Sequence, residues 1–440
     1  MKIYAVSGYS EVGRNMTCIE SNNEAVILDM GIDLENYITL QGHDDLEFIS
    51  TKQMTVAKAI PDISVLKNIK KNVLAIIPSH GHLDHIGAIP FLSAKFNCPI
   101  IASPYTASVI KAIMKDKRQD LKNDLVSLKL NKKIKLSDNF SIELVNMTHS
   151  IPQASTIIVH TPEGKVAYAN DFKLDNNPTL GDKPNYKRLK QLGKEGIKAL
   201  IIDSLYADEH RKTPSESIAK EMLRDVMLNI DSKGRAVIVS TFSSHIARLK
   251  SIIEFGKKMK RKIVFLGRSL AKYTYAAEDI GLVKFSKKVE ICTYGKQIQK
   301  KLDEIEKNRE KYLIVCTGHQ AEPKAVLSKI ATGKYRFNLL PEDHIIFSCS
   351  VIPSEINIKN RKVLEKLLLQ KKVRIFKDIH QSGHGAREDH RELIKMLNPE
   401  YVLPSHAKLD KKQALQNLAL EMGYHKYNVP ILKNGDILEL

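Results

Sequence analysis

SHGHLDHIGAIP, residues 79–90, follows directly on the apolar run VLAIIP at 73–78. Within six positions it holds His80, His82, Asp84 and His85. A short loop leaving a strand turns successive side chains toward one point, and imidazole and carboxylate suit borderline metals such as zinc. A catalytic zinc takes about three protein ligands and keeps one position open. Four residues exceed one such site without completing two, so the motif implies a dinuclear centre with ligands elsewhere in the chain.

Three residues meet that need. His149 follows the strand-like stretch 141–145 in NMTHSIPQ, Asp171 closes VAYANDF, and His406 follows an apolar run in YVLPSHAK. A single His or Asp at a strand end is ordinarily just a polar residue. With the first motif, however, these make five His and two Asp, the donor set of two adjacent sites. Asp29 in VILDMG is a further strand-end carboxylate, read as support that orients a ligand histidine. His406 lies far beyond Asp171, whereas the other candidates fall between 80 and 171. If both touch one metal pair, a domain is inserted between them. The organisation expected is 1–208, an inserted domain at 209–370, and a return to the first domain at 371–440.

Texture along the chain agrees with an insertion. Buried strands are predicted at 25–28, Val73–Ile77, 157–159, 166–168 and 199–202, with helices at 88–96 and 104–115. From about 213 the alternation becomes regular. A helix at 214–228, a strand at 236–240, a helix at 245–260 and strands at Lys262–Leu266 and Tyr312–Cys316 read as an open, largely parallel sheet covered by helices. Residues 40–61 read as an irregular polar excursion.

Composition bounds the setting. Hydrophobic residues make up 43% of the 440, enough for sizeable cores. No apolar run approaches the ~18–20 residues of a membrane span. The start, MKIYAVSGYSEVGRN, lacks the pattern of a secretory signal. Five scattered cysteines without a CxxC read as buried apolar residues of a reduced cytoplasm. Sixty-nine Lys and Arg against fifty Asp and Glu leave +19, a field that gathers polyanions such as nucleic acid. Clusters such as KKMKRK at 257–262 read equally well as a helix end.

These residues resemble the metallo-β-lactamase superfamily, and the insertion resembles its β-CASP branch. The likeness is nearest to the ribonuclease J family, in the short archaeal form. It is carried by GYSEVGRNM, VILDMG, SHGHLDHIGAIPFL, FSSHIAR at 242–248, GRS at 267–269, CTGHQAEP, HQSGHGA and PSHAK, and so runs nearly end to end. The resemblance implies an α/β fold: an αββα sandwich with an inserted β-CASP domain of parallel strands flanked by helices. It implies two zinc ions, with manganese as an acceptable substitute. His80, His82, His149 and Asp171 would hold one, and Asp84, His85, Asp171 and His406 the other. Asp203 and His384 match further family motifs, and Asp84, Asp203 and His384 are the expected catalytic group. Ser243, Ser244 and His245, with His380, Gln381, Ser382, Gly383 and His384, match places where the family holds RNA. Two stretches depart from the family: GHQAEP stands where GSQGEP is common, and His245 where asparagine is common.

The expected activity is hydrolysis of P–O3′ bonds in single-stranded RNA, leaving 5′-phosphates and running 5′ to 3′ from monophosphorylated ends. Rival readings are a β-CASP endonuclease for RNA 3′-end processing and a DNA nuclease. Small-molecule hydrolysis accords poorly with the charge and the large insert. A metal-free RNA-binding scaffold predicts lost ligands, yet all seven positions are occupied. The family often dimerises, and the sequence leaves a homodimer open.

Overall fold

Neighbouring apolar residues in the central strands of this chain enter different cores. In the computed structural model, which describes residues 1–43, 49–352 and 355–440, Leu144, Ile157, Val166, Tyr168, Ala199 and Ile201 join one cluster. Their neighbours Val145, Ile158, Ala167, Ala169, Leu200 and Ile202 join another. Side chains alternate across a strand, so strands covered on both faces must be apolar at every position. That is why these segments read as unbroken apolar runs.

Two compact units result. The first comprises Met1–Asn176, Gly181–Thr213 and Gly383–Leu440, the second Asn177–Leu180 and Pro214–Ser382. In the first unit a seven-stranded sheet runs in the order Ile437–Glu439, Lys2–Ser7, Met16–Ser21, Glu24–Leu28, Val73–Ile77, Ile100–Ala102 and Leu125–Ser127. A six-stranded sheet runs Tyr401–Ser405, Ala199–Asp203, Gly164–Ala169, Ser155–Thr161, Ser141–Asn146 and Lys132–Lys135. The core between them takes Val26, Leu28, Ala75 and Ile77 from one sheet and Leu144, Ile157, Val166 and Ile201 from the other. Leu189 and Leu192 of helix Tyr186–Glu195, Leu393 and Leu397 of Arg387–Leu397, and Leu415 and Leu418 of Leu409–Glu421 cover the second sheet's outer face. Helix Pro104–Asp116 packs on the first sheet. The layers are those of an αββα sandwich.

The second unit is one parallel sheet in the order Glu290–Cys292, Lys262–Leu266, Tyr312–Cys316, Val237–Ser240, His344–Phe347 and Arg374–Phe376. One face packs Ile238, Val264, Ile314 and Ile345 against Leu302, Leu327 and Leu364 of three helices. On the other face lies helix Ile246–Lys258, where a methyl added at Gly256 would stand 2.6 Å from Leu313. Leu313 and Ile314 again point opposite ways.

Some local expectations shift. The stretch predicted as a helix at 88–96 is one short helix, Ile89–Leu92, followed by the 3-10 turn Ser93–Lys95. Residues 40–61, read as irregular, carry the end of one helix and all of Thr51–Val56, which Ser50 and Gln53 start with a reciprocal capping box. Residues 44–48 of that stretch lie outside the described residues. KKMKRK closes helix Ile246–Lys258, and its Arg261 is buried, donating to the carbonyls of Arg235 and Tyr312.

Candidate metal centre

Each piece of the centre leaves the end of a strand, and three of its residues sit in the left-handed region. Asp29 (φ 59°), Asp171 (φ 56°) and His406 (φ 54°) all turn sharply where their strands stop. For residues other than glycine that conformation costs about 1–3 kcal/mol each, and it concentrates at functional sites. The opening motif is not one loop, as read from sequence. His80 and His82 lie on the loop, whereas Asp84 and His85 ride the helical turn Leu83–Ile86. That turn packs directly on Gly31, where a methyl would come within 1.6 Å of Asp84 O.

The split divides the ligands between two clusters. His80, His82, His149 and Asp171 form one, and Asp84, His85, Asp171 and His406 the other, with donor atoms in each within 4.8 Å of one another. Asp171 belongs to both. Its Oδ2 stands 3.2 Å from His85 Nε2 and 3.5 Å from both His80 Nε2 and His149 Nε2. Its Oδ1 stands 3.5 Å from His406 Nε2.

Donor chemistry fits divalent ions. His82 Nδ1 lies 3.1 Å from His80 Nε2 and 3.1 Å from His149 Nε2. Donors about 2.0–2.1 Å from a tetrahedral zinc stand roughly 3.3 Å apart. Asp171 Oδ1 is buried without a hydrogen-bond donor, an arrangement that a cation satisfies. Burial drives His80 and His149 well below the usual imidazole range and His82 to about 4, so all three stay neutral as ligation requires. Burial also lowers His85, but the carboxylates of Asp171, Asp29 and Asp84 outweigh it and hold that group high.

Supporting groups aim the rings. Ser79 N and Oγ donate to Asp29 at 2.7 and 3.0 Å, and His85 Nδ1 donates to Asp29 Oδ2 at 2.6 Å, leaving Nε2 toward Asp171. His149 Nδ1 donates to Gly383 O at 2.7 Å. Only glycine brings that carbonyl so close, because a Cβ at Gly383 would stand 2.7 Å from Ser150. His384 Nδ1 donates to Asp203 Oδ2 at 2.7 Å, and its Nε2 lies 3.9 Å from Asp171 Oδ2. Burial opposes charging of His384, but Asp171 and Asp203 carry it up to about 9. Asp203 Oδ1 is taken by Leu205 N at 2.7 Å.

The remaining expected residues belong to the second unit. Ser243, Ser244 and His245 connect strand Val237–Ser240 to helix Ile246–Lys258. His245 is 2% exposed; its Nδ1 accepts from Arg248 N at 3.4 Å to cap the helix, and its Nε2 stands 3.4 Å from Glu216. Arg248 Nη1 donates to Ile379 O at 3.1 Å and lies 3.5 Å from His380 Nδ1, which fixes the start of the HQSGHGA run. Gln381 donates to Met222 Sδ at 3.7 Å. Ser382 ends the second unit and Gly383 opens the next stretch of the first.

Sequence reasoning missed Asn15, Tyr168, Asn170 and Asp389, all buried. Asp389 accepts from Leu174 N at 3.2 Å and Thr213 N at 2.8 Å. The only signal for these was their place in GRNM, AYAND and AREDH, beside residues already under suspicion.

Fold and donor set together define a metallo-hydrolase of the metallo-β-lactamase superfamily with an inserted second unit. The model of that superfamily matches residues 9–224, that of "Ribonuclease J, beta-CASP domain" residues 233–367, and that of "Zn-dependent metallo-hydrolase RNA specificity domain" residues 370–430. Ribonuclease J of Pyrococcus abyssi is 44% identical over 100% of this chain and 97% of its own. That of Methanocaldococcus jannaschii is 42% identical over 100% and 98%. Ribonuclease J 1 of Streptococcus pyogenes is 31% identical over 100% of this chain and 74% of its own. This chain belongs to the ribonuclease J family. A crystal structure of a protein of unknown function from Enterococcus faecalis V583 matches with TM-score 0.67 at 14% identity, over 100% of this chain and 99% of that one, and bears on the fold alone. Among the described residues no helix is long and apolar enough to cross a membrane.

Proposed function

We propose that this chain is a zinc-dependent ribonuclease that removes nucleotides 5′ to 3′ from monophosphorylated RNA ends, in RNA decay and maturation. One observation carries the reading: two ligand clusters joined at Asp171, in a chain whose relatives bear the name ribonuclease J. His80, His82, His149 and Asp171 would hold one ion, and Asp84, His85, Asp171 and His406 the other; manganese suits the same donors. When bound, such a pair supplies Lewis-acid polarisation of a phosphate oxygen and acidifies water toward neutrality.

The chain's own groups do the rest. Asp84 is the more exposed of the two clustered carboxylates, 15% against 2% for Asp171, and accepts a hydrogen bond from the attacking water. Asp203 holds the Nδ1–H of His384, so that Nε2 is the nitrogen that passes a proton to a phosphate oxygen or to the leaving O3′. Cleavage of P–O3′ then releases a nucleotide with a free 3′-hydroxyl and leaves the new 5′-phosphate on the shortened RNA. Ser243, Ser244, His245, His380, Gln381 and Ser382 of the second unit are assigned to phosphate binding, by hydroxyl or backbone N–H without base readout. The +19 charge supports a polyanionic substrate. All five cysteines are buried and unpaired, which supports action in the reducing cytoplasm.

The test offers 5′-monophosphorylated RNA, its triphosphorylated form and matching single-stranded DNA, with zinc, manganese or chelator. Mononucleotides released early from the monophosphorylated RNA, and abolished by chelator, are expected. Discrete internal fragments would replace this reading with an endonuclease, and equal cleavage of DNA with a general nuclease.

A further inference from the structure

GYSEVGRNM leads to a residue that the proposed chemistry leaves unused, Asn15. It is 1% exposed and lies among the ligands of the second cluster. Its Oδ1 stands 3.0 Å from His406 Nδ1 and 3.2 Å from Asn170 Nδ2. Its Nδ2 donates to Asp84 O at 3.1 Å. Its backbone N donates to the same carbonyl at 3.0 Å, and Gly31 N donates to Asn15 O at 2.9 Å. Nothing larger than glycine fits at Gly8, whose added Cβ would stand 2.5 Å from Asn15 Oδ1. Gly8 O in turn accepts from His406 N at 2.6 Å.

The direction of each hydrogen bond along this path is forced. Asp29 is an acceptor only, so Tyr168 OH must donate to its Oδ2, at 2.8 Å. Having given its one hydrogen, the Tyr168 oxygen accepts from Asn170 Nδ2 at 2.8 Å. Asn170 Oδ1 is occupied by Ser405 Oγ at 2.6 Å, which holds the amide in that orientation. The second hydrogen on Asn170 Nδ2 therefore meets Asn15 Oδ1. Turning the Asn15 amide over would set two NH₂ groups against each other and its oxygen against Asp84 O. With Oδ1 fixed as an acceptor, His406 must carry a hydrogen on Nδ1, which leaves Nε2, 3.5 Å from Asp171 Oδ1, as the nitrogen turned toward the cluster.

We infer that Asn15 is a positioning residue that sets the tautomer of His406, and so the retention of the ion assigned to Asp84, His85, Asp171 and His406. One buried carboxylate, Asp29, thereby orients two ligands, His85 directly and His406 through Tyr168, Asn170 and Asn15. The inference rests on the metal reading above. Loss of such outer partners lowers metal affinity roughly 10- to 100-fold.

The experiment counts zinc held by the purified full-length chain across a series of chelator-buffered zinc concentrations. Wild-type protein is expected to hold two ions. Asn15→Leu removes the acceptor at similar volume; it is expected to keep one ion and to release the other roughly 10- to 100-fold more readily. Asn15→Asp restores an acceptor for the Nδ1–H and is expected to restore the second ion. In a His406→Ala background, Asn15→Leu should cause no further loss. Nitrogen NMR of His406 in the metal-free wild type, which needs no variant to fold, should show the hydrogen on Nδ1. Two ions held as tightly in Asn15→Leu as in wild type would overturn the inference, as would failure of Asn15→Asp to restore retention, or a His406 ring with no hydrogen on Nδ1. A wild-type chain that holds no divalent ion would instead overturn the metal reading itself.

Discussion

Asp171 is the one side chain shared by both ligand clusters, and it is buried with an oxygen that no hydrogen bond satisfies. His384 stands beside it in neither of the two expected ligand sets, with Asp203 behind its ring. The two positions should therefore fail differently. Asp171→Asn exchanges a shared carboxylate for a neutral amide and is expected to lose metal from both clusters. His384→Ala should retain both ions while turnover falls by about 10²–10⁴, the range for one proton-transferring group. Metal analysis alongside single-turnover cleavage separates the outcomes; unchanged turnover in His384→Ala would remove that residue from the chemistry. The seven expected ligands were legible because histidines and aspartates at strand ends stand out against apolar runs. Asn15 and Asn170 were not, because an amide's role depends on which donors fold against it.

At the level of elements, two helices of the second unit are tied by a buried ion pair. Arg248 of Ile246–Lys258 donates from Nε and Nη2 to Glu216 of Glu216–Leu228, at 2.6 and 2.7 Å. Its Nη1 reaches Ser348 O at 2.9 Å, so this arginine also holds the end of strand His344–Phe347. Burial alone would raise the Glu216 carboxyl, but Arg248 and His245 outweigh it and hold that group well below the usual carboxylate range. A carboxylate lowered by folding stabilises above its unfolded value, about 4.3, and that contribution is lost as pH falls toward the folded value. Thermal unfolding should therefore become progressively easier from about pH 4 downward. Glu216→Gln is expected to remove about 3–5 kcal/mol at neutral pH by leaving Arg248 buried and unpaired, and to flatten the acid dependence. An unchanged denaturation midpoint would show the pair to be dispensable. The strands were readable from their apolar runs, whereas helix 88–96 was overextended: Pro90 lies in the first turn of Ile89–Leu92, and the 3-10 turn Ser93–Lys95 then ends the helix.

For the whole molecule the dominant property is charge. With +19 distributed over 440 residues, binding to single-stranded RNA should weaken steeply with salt. The slope of log K against log salt should be about −0.7 per phosphate neutralised. Filter binding of RNA oligomers of several sequences between about 50 and 200 mM salt tests this; a flat salt response, or a strong preference among sequences, would contradict phosphate-led recognition. Sequence by itself determined the apolar runs, the seven candidate donors and the expectation of an insertion between Asp171 and His406, because run length and residue chemistry are local properties. The resemblance already implied which donors share a cluster; only the tertiary structure showed that HGHLDH divides between a loop and a helical turn. It alone showed that Gly383 brings its carbonyl to His149, and that Tyr168, Asn170 and Asn15 link Asp29 to His406 by hydrogen bonds. Hydrogen-bond direction is a property of neighbours in space, and residues 15, 29, 168, 170 and 406 become neighbours only when the strands that carry them are paired.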